Sequence, residues 1–211
     1  MPDRFFITGT DTGVGKTMVS SLLCAALDAI YWKPIQTGMR EGTDRKAVMR
    51  LAHLPPRRTM PETYRFAPPV SPHLAARRAG VRIDLRKIRM PRLAAREKLI
   101  VEGAGGALVP INDAQFMTDL MRHLKLPVLL VSRTALGTIN HTLLSLAALR
   151  SAHLKVRGVI MVGKPNTENR KAIEQYGDVP VIGTVPWLKK INRRALLDVF
   201  RKHFDGRAFH E

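Results

Sequence analysis

Cysteine is nearly absent: Cys24 is the single one in 211 residues, so no internal disulfide can form. Inside an apolar helical pattern it reads as a small buried hydrophobe in a reducing compartment. Aromatic residues make up only 6% and do not interleave with basic ones as they do in single-strand nucleic-acid binders. No apolar run approaches the ~18 residues of a membrane span, and the opening Met-Pro-Asp-Arg shows no signal-peptide pattern. A cytoplasmic protein without a membrane partner is expected. Acidic residues are scarce, 17 against 35 Lys+Arg, for a formal charge of +18. The basic residues are dispersed as pairs (Arg57-Arg58, Arg77-Arg78, Lys189-Lys190, Arg193-Arg194) and along 82–98. That dispersion reads as a solvated surface with no nucleic-acid partner, in whose field small anionic substrates would also benefit. The length suits one α/β domain spanning 1–211.

What is present is organised around residues 5–17, F-F-I-T-G-T-D-T-G-V-G-K-T. A short apolar run, Phe5 to Ile7, enters a glycine-rich turn and then Lys16-Thr17. Val19, Leu22, Leu23, Ala26 and Leu27 follow on one helical face. Strand, glycine-rich loop and helix in this order form a phosphate cradle, because free N–H groups and the dipole of a helix start both favour an anion. Lys16 would add a full charge for β/γ phosphates, and the Thr17 hydroxyl is placed to ligate Mg²⁺. The usual spacing sets a glycine where Thr10 stands; in this chain it comes one place earlier, at Gly9. The pattern predicts binding of a nucleoside triphosphate.

Farther on, Ile30 to Trp32 read as a short strand ended by Pro34 and Gly38, which puts Lys33 at its carboxyl end, facing the crevice where open α/β sheets bind ligands. A helix runs to Leu54 with Thr43 or Asp44 as its N-cap, and capping suffices to explain Asp44 by itself. Residues 55–72 hold six of the 14 prolines and form a long excursion. Ser71-Pro72-His73 opens another helix, and 84–97 reads as one more. The wholly apolar Leu99-Ile100-Val101 ends in Glu102 and a glycine-rich turn, as expected of a central parallel strand. An acid at that point can hold Mg²⁺ directly or through water. A helix through Phe116, Leu120 and Leu124, capped near Asn112-Asp113, precedes a strand over 127–131. A helix over 138–151 has Asn140 and His141 in its first turn, His141 as a half-buried, satisfied histidine. Strands over 158–163 and 179–185 alternate with helices over 166–176 and 192–204. The alternation predicts one doubly wound, mainly parallel sheet flanked by helices.

Two known groups have similar phosphate loops. Partitioning ATPases carry a second lysine five residues before the invariant one; Asp11 occupies that position and argues against the alternative of a partitioning-type regulatory ATPase. The full set of motifs resembles the dethiobiotin synthetase family. The matching pieces are G-T-D-T-x-V-G-K-T at 9–17, K-P-x-x-[S/T]-G at 33–38, Thr43-Asp44 and Ser71-Pro72-His73. They continue with V-E-G-A-G-G at 101–106, L-G-x-I-N-H at 136–141 and G-x-x-P-W-L at 183–188, in the family's order over nearly the whole chain. V-E-G-A-G-G also occurs in cobyrinate and cobyric acid amide synthases, whose extra glutaminase domain is not expected in 211 residues.

The resemblance implies an ATP-dependent cyclo-ligase of biotin biosynthesis that forms C–N bonds. It would close the ureido ring of dethiobiotin from 7,8-diaminononanoate and CO₂ or bicarbonate, by way of a carbamate and its mixed anhydride with phosphate. By position, Lys16 would hold the triphosphate and Thr12 would lie near the transferred phosphoryl. Gly13, Val14 and Gly15 complete the loop, with Pro186 and Trp187 at the nucleobase. Thr17, Asp44 and Glu102 would surround Mg²⁺, Lys33 would pair with the carbamate, and Thr37 would sit beside it. Gly137, Thr138 and Asn140 would bind the substrate's tail carboxylate from the neighbouring subunit of a homodimer. The chain departs from the family at Gly13, where some members carry an acid, and in a shortened segment before Lys33. It departs again at Val162-Gly163-Lys164-Pro165-Asn166, where an asparagine earlier in that run usually reads the adenine.

Overall fold

The computed structural model describes residues 3–40 and 42–209. The apolar run at the start is the middle strand, β1 (Arg4–Gly9), and the glycine-rich turn delivers it into α1 (Lys16–Leu27). Then come β2 (Ile30–Trp32), β3 (Ile35–Thr37) and α2 (Asp44–Ala52). The proline-rich excursion contains β4 (Thr59–Met60) and β5 (Tyr64–Phe66) and leads into α3 (Pro72–Arg78). After β6 (Leu99–Gly106) the chain alternates regularly through α4 (Met117–Leu124), β7 (Val128–Arg133) and α5 (Thr138–Ser151). It closes with β8 (Val156–Val162), α6 (Thr167–Gly177), β9 (Val181–Val185) and α7 (Arg193–His203).

Seven strands form one sheet in the order β4-β2-β6-β1-β7-β8-β9, and every described pairing is parallel. Each inner strand is covered on both faces, which is why 5–7, 99–101 and 128–131 read as unbroken apolar runs. One face packs Phe6, Val101 and Leu130 against Met117, Met121, Leu146 and Ile173. The other packs Ile7, Ile100 and Val131 against α1, α2 and α7, and Cys24 is fully buried there as expected. Among the described residues no helix is long and apolar enough to cross a membrane.

Several expectations need correction. The sheet is not the only one: β3 and β5 pair in parallel as a separate two-stranded sheet, inside stretches read as loop. Residues 84–97 do not form a helix. A single turn, Leu85–Lys87, is followed by irregular chain, because Pro91 removes a backbone donor and biases Met90 away from helical geometry. The cap of α4 is not at Asn112-Asp113: Asp119 accepts from the Phe116 N–H at 2.7 Å, while Asn112 donates to the Ile83 carbonyl at 2.9 Å. His141 is exposed rather than half-buried.

Candidate active site

The phosphate loop depends on Gly9 for space. A Cβ there would lie 2.6 Å from Val14 Cγ2 and 2.9 Å from the Asp11 carbonyl, so the glycine one place early is the one the turn requires. Gly15, at φ 102°, then sets the left-handed step into α1. Lys16 is buried and donates to the Asp11 carbonyl at 2.8 Å, spanning the loop.

Alternation along β2 places Tyr31 and Lys33 on one face, the face that carries α1. Glu102 points the same way from β6. Lys33 Nζ lies 2.7 Å from Asp44 Oδ2 and 3.1 Å from Glu102 Oε1. The Thr17 hydroxyl lies 2.8 Å from Asp44 Oδ1 and 2.9 Å from Glu102 Oε1. Tyr31 donates to Glu102 Oε2 at 3.0 Å. Thr43, not Asp44, is the cap of α2, accepting from the Lys46 N–H at 3.3 Å, which leaves the Asp44 carboxylate to the cluster.

The charges explain one another. Burial by itself would push the Lys33 amine down, but the adjoining Glu102 and Asp44 charges outweigh it and hold the ammonium above its ordinary range. Burial pushes Asp44 up, and Lys33, helped by hydrogen bonds from Thr17 and Gln36, brings it below the ordinary range. Lys16 behaves oppositely. Burial lowers it to about 8, opposed by Glu102 and deepened by the Lys33 charge nearby. Burial, then Glu102, push the Tyr31 phenol well above 10, so it stays a donor.

The sequence-predicted residues Lys16, Thr17, Lys33, Asp44 and Glu102 therefore converge. Thr37 lines an adjoining cleft with Gln36, Arg40 and Asp44. On the opposite flank of the loop, Gly13, Val14 and Gly15 line an open cleft with Met18, Val162, Pro186 and Trp187. Thr12 is exposed at the loop's rim. Asn166 caps α6, accepting from the Asn169 N–H at 2.9 Å, and Asn169 donates to the Thr134 carbonyl at 3.1 Å, so both nearby amides are engaged. Position 163 admits no side chain at all: its φ is 135°, and a Cβ would lie 2.3 Å from Thr134 Oγ1. Gly137 and Asn140 are exposed, and the buried Thr138 hydroxyl donates to the Arg133 carbonyl. They begin α5 beyond β7, with β6 and β1 between them and β2, so this chain does not bring them to Lys33.

Two residues escaped the sequence reading. Tyr31 looked like strand filler, yet its spacing of two from Lys33 was a usable signal. Gln36 stood inside a quoted motif without a role.

No cage of three or more His, Cys, Asp or Glu side chains forms among the described residues. Two carboxylates and a hydroxyl still suit Mg²⁺, which retains waters and takes phosphate oxygens rather than an all-protein shell.

A phosphate loop between β1 and α1, with the acid Glu102 on the neighbouring parallel strand, which runs on to Gly106 rather than turning after the acid as expected, defines the chain as a P-loop nucleotide-binding protein. Solved structures share that fold. A ParA family ATPase from Chlorobium tepidum superposes with a TM-score of 0.50 at 12% identity, over 94% of this chain and 90% of that one. The MinC:MinD complex of Aquifex aeolicus gives 0.58 at 15%, over 95% of each chain. At such identities the likeness is one of fold alone and does not favour a partitioning role. The AAA domain family profile matches residues 3–195. An ATP-dependent dethiobiotin synthetase BioD of Rhodopseudomonas palustris (strain HaA2) is 47% identical over 209 residues, covering 99% of this chain and 97% of that protein. The enzyme of the same name from Brucella melitensis biotype 2 is 45% identical over 204 residues, covering 97% and 95%. The chain belongs to the dethiobiotin synthetase family.

Proposed function

We propose that the protein is an ATP-dependent dethiobiotin synthetase, acting as one unit over 1–211. The observation that carries this is Lys33: a buried ammonium clamped by Asp44 and Glu102 beside the phosphate loop, in a chain 47% identical to such an enzyme. One amine of 7,8-diaminononanoate adds to CO₂ and loses a proton, giving a carbamate. A carbamate oxygen attacks the γ-phosphorus of ATP and ADP leaves. The second amine attacks the carbonyl carbon of the anhydride, phosphate leaves with the C–O bond electrons, and a proton is released as the cyclic urea forms.

Phosphoryl transfer asks for positioning and charge neutralisation more than covalent help. Lys16 holds the triphosphate tail, and Thr12 lies near the transferred group. Lys33 faces the charge that develops on carbamate and phosphoryl oxygens, and Thr37 orients the carbamate. Gly13, Val14, Gly15, Pro186 and Trp187 enclose the nucleoside end. Thr17, Asp44 and Glu102 would hold Mg²⁺, which neutralises charge on β- and γ-phosphate oxygens. With Lys33 bound between them, the two acids are held in place before any nucleotide arrives.

The tail carboxylate of the substrate is assigned to Gly137, Thr138 and Asn140 of a second copy, giving a cytoplasmic homodimer. Two features support this: those residues lie away from Lys33, and Leu136 and Leu144 beside them stand exposed. The deciding experiment is incubation with the diamine, bicarbonate and Mg·ATP, followed by mass spectrometry. The cyclic urea should appear with ADP and phosphate in equal amounts. ATP hydrolysis without the urea would overturn the assignment.

A further inference from the structure

Gln36 lies three residues after Lys33 but turns inward, with 3% of its surface exposed. A buried primary amide is costly unless both ends are paired. Its Oε1 accepts from the Asp44 backbone N–H at 3.1 Å. Its Nε2 donates to the Thr37 carbonyl at 2.9 Å and to the Gly38 carbonyl at 3.2 Å. One amide thus spans from the end of β3 to the first residue of α2. The Asp44 N–H is among those a helix start leaves without an intrahelical acceptor, and the Thr43 hydroxyl serves Lys46 instead. What fixes the first residue of α2 is therefore Gln36, and from that residue the carboxylate reaches Thr17 and Lys33.

We infer that Gln36 is a positioning residue that locks Asp44 and Thr37 into one relation, so that the metal-side carboxylate and the substrate-side hydroxyl are set as a single piece. The roles given to those two groups are those of the proposed function. Gln36 touches no reacting atom; it acts through the backbone at both ends of its three hydrogen bonds and through its amide beside the Asp44 carboxylate. A residue that only stabilised the fold would lower the melting temperature without separating metal dependence from nucleotide affinity.

The test measures ADP affinity by calorimetry in EDTA and over a Mg²⁺ series, together with melting and steady-state kinetics. Gln36→Leu removes all three bonds at similar volume. It should bind ADP like the parent in EDTA but need about tenfold more Mg²⁺ for the metal-dependent gain, as loss of an outer partner of a metal ligand typically does. Its KM for the diamine should rise as well. Gln36→Glu keeps the acceptor for Asp44 and loses the donors to Thr37 and Gly38. Its added carboxylate, beside Asp44 and facing the Thr37 and Gly38 carbonyls, should shift the Mg²⁺ half-point and raise the KM for the diamine. A folded Gln36→Leu with parental Mg²⁺ half-point and KM would overturn the inference. So would an equal loss of ADP affinity with and without Mg²⁺. Should Gln36→Leu fail to fold, a parental KM in Gln36→Glu overturns it. If the parent makes no cyclic urea, the ligase reading fails, and the Mg²⁺ series still decides the Asp44 half.

Discussion

The two flanks of the phosphate loop are built on opposite terms. Toward β2, the buried Lys33, Glu102 and Tyr31 and the half-buried Asp44 and Thr17 form a network in which every charge has a named partner. Toward β8 and β9, Val14, Met18, Val162, Pro186 and Trp187 make an open apolar slot. In the first region, removing one group strands another in low dielectric, so effects should be large and coupled. In the second, truncation forfeits contact area and little else. On the proposed reading, chemistry is set where side chains define one another, and the nucleoside is held by shape.

The sharpest break in that contrast is Lys33→Ala. Turnover should fall at least about 10²–10³-fold, the range for losing a preorganised charge-stabilising donor, while ADP affinity stays nearly parental. Leaving Asp44 and Glu102 unpaired should also cost about 3–5 kcal/mol in urea unfolding. Parental turnover in this variant would remove Lys33 from the reaction.

Tyr31→Phe probes the same network more gently. It deletes only the hydroxyl that donates to Glu102, and loss of a hydrogen bond to a charged group is worth about 1.5–3 kcal/mol. Unfolding by urea should register that loss, and an unchanged midpoint would show that Glu102 does not depend on Tyr31. Trp187→Ala tests the other flank. With the indole 79% exposed, stability should hold, and ADP should bind more weakly by about 1–3 kcal/mol, the worth of a base–aromatic contact. A parental kcat is expected; a large fall would mean that the two flanks are not independent.

The mildest effect is on pH. Lys16 sits near 8 in the free protein because burial disfavours its charge, and a phosphate partner will restore the proton. ADP binding should therefore take up protons increasingly as pH rises through about 8, and affinity should fall correspondingly between roughly pH 7 and 9. Calorimetry in buffers of different ionisation enthalpy measures the uptake. Lys16→Arg keeps its charge and should abolish it; persistence of the uptake would assign the proton to another group.

Much of the site is legible in the sequence. Gly9 to Thr17 announce the phosphate cradle, and a carboxylate ending the wholly apolar 99–101 run announces its partner strand. Other parts are not. β3, β4 and β5 hold two or three residues each, too few for a period to show, and exist only because a neighbouring strand pairs with them. Residues 84–97 misled because their arginines and leucines suggest a helix while Pro91 forbids one. The depth at which His141 lies depends on what covers α5, and no local pattern states that.

The chain's own order of residues determined the strand–loop–helix start, the alternation that makes a parallel sheet, and which residue types stand at strand ends. Local geometry suffices for these, because backbone periodicity and steric freedom act over a few residues. Only the tertiary structure decided that Lys33 lies between Asp44 and Glu102, that Thr43 rather than Asp44 caps α2, and that Tyr31 and Gln36 orient the acids. Those outcomes follow from strand order, which brings β2 beside β6 and both beneath α1. Charges far apart along the chain meet there, and burial makes each dependent on the others.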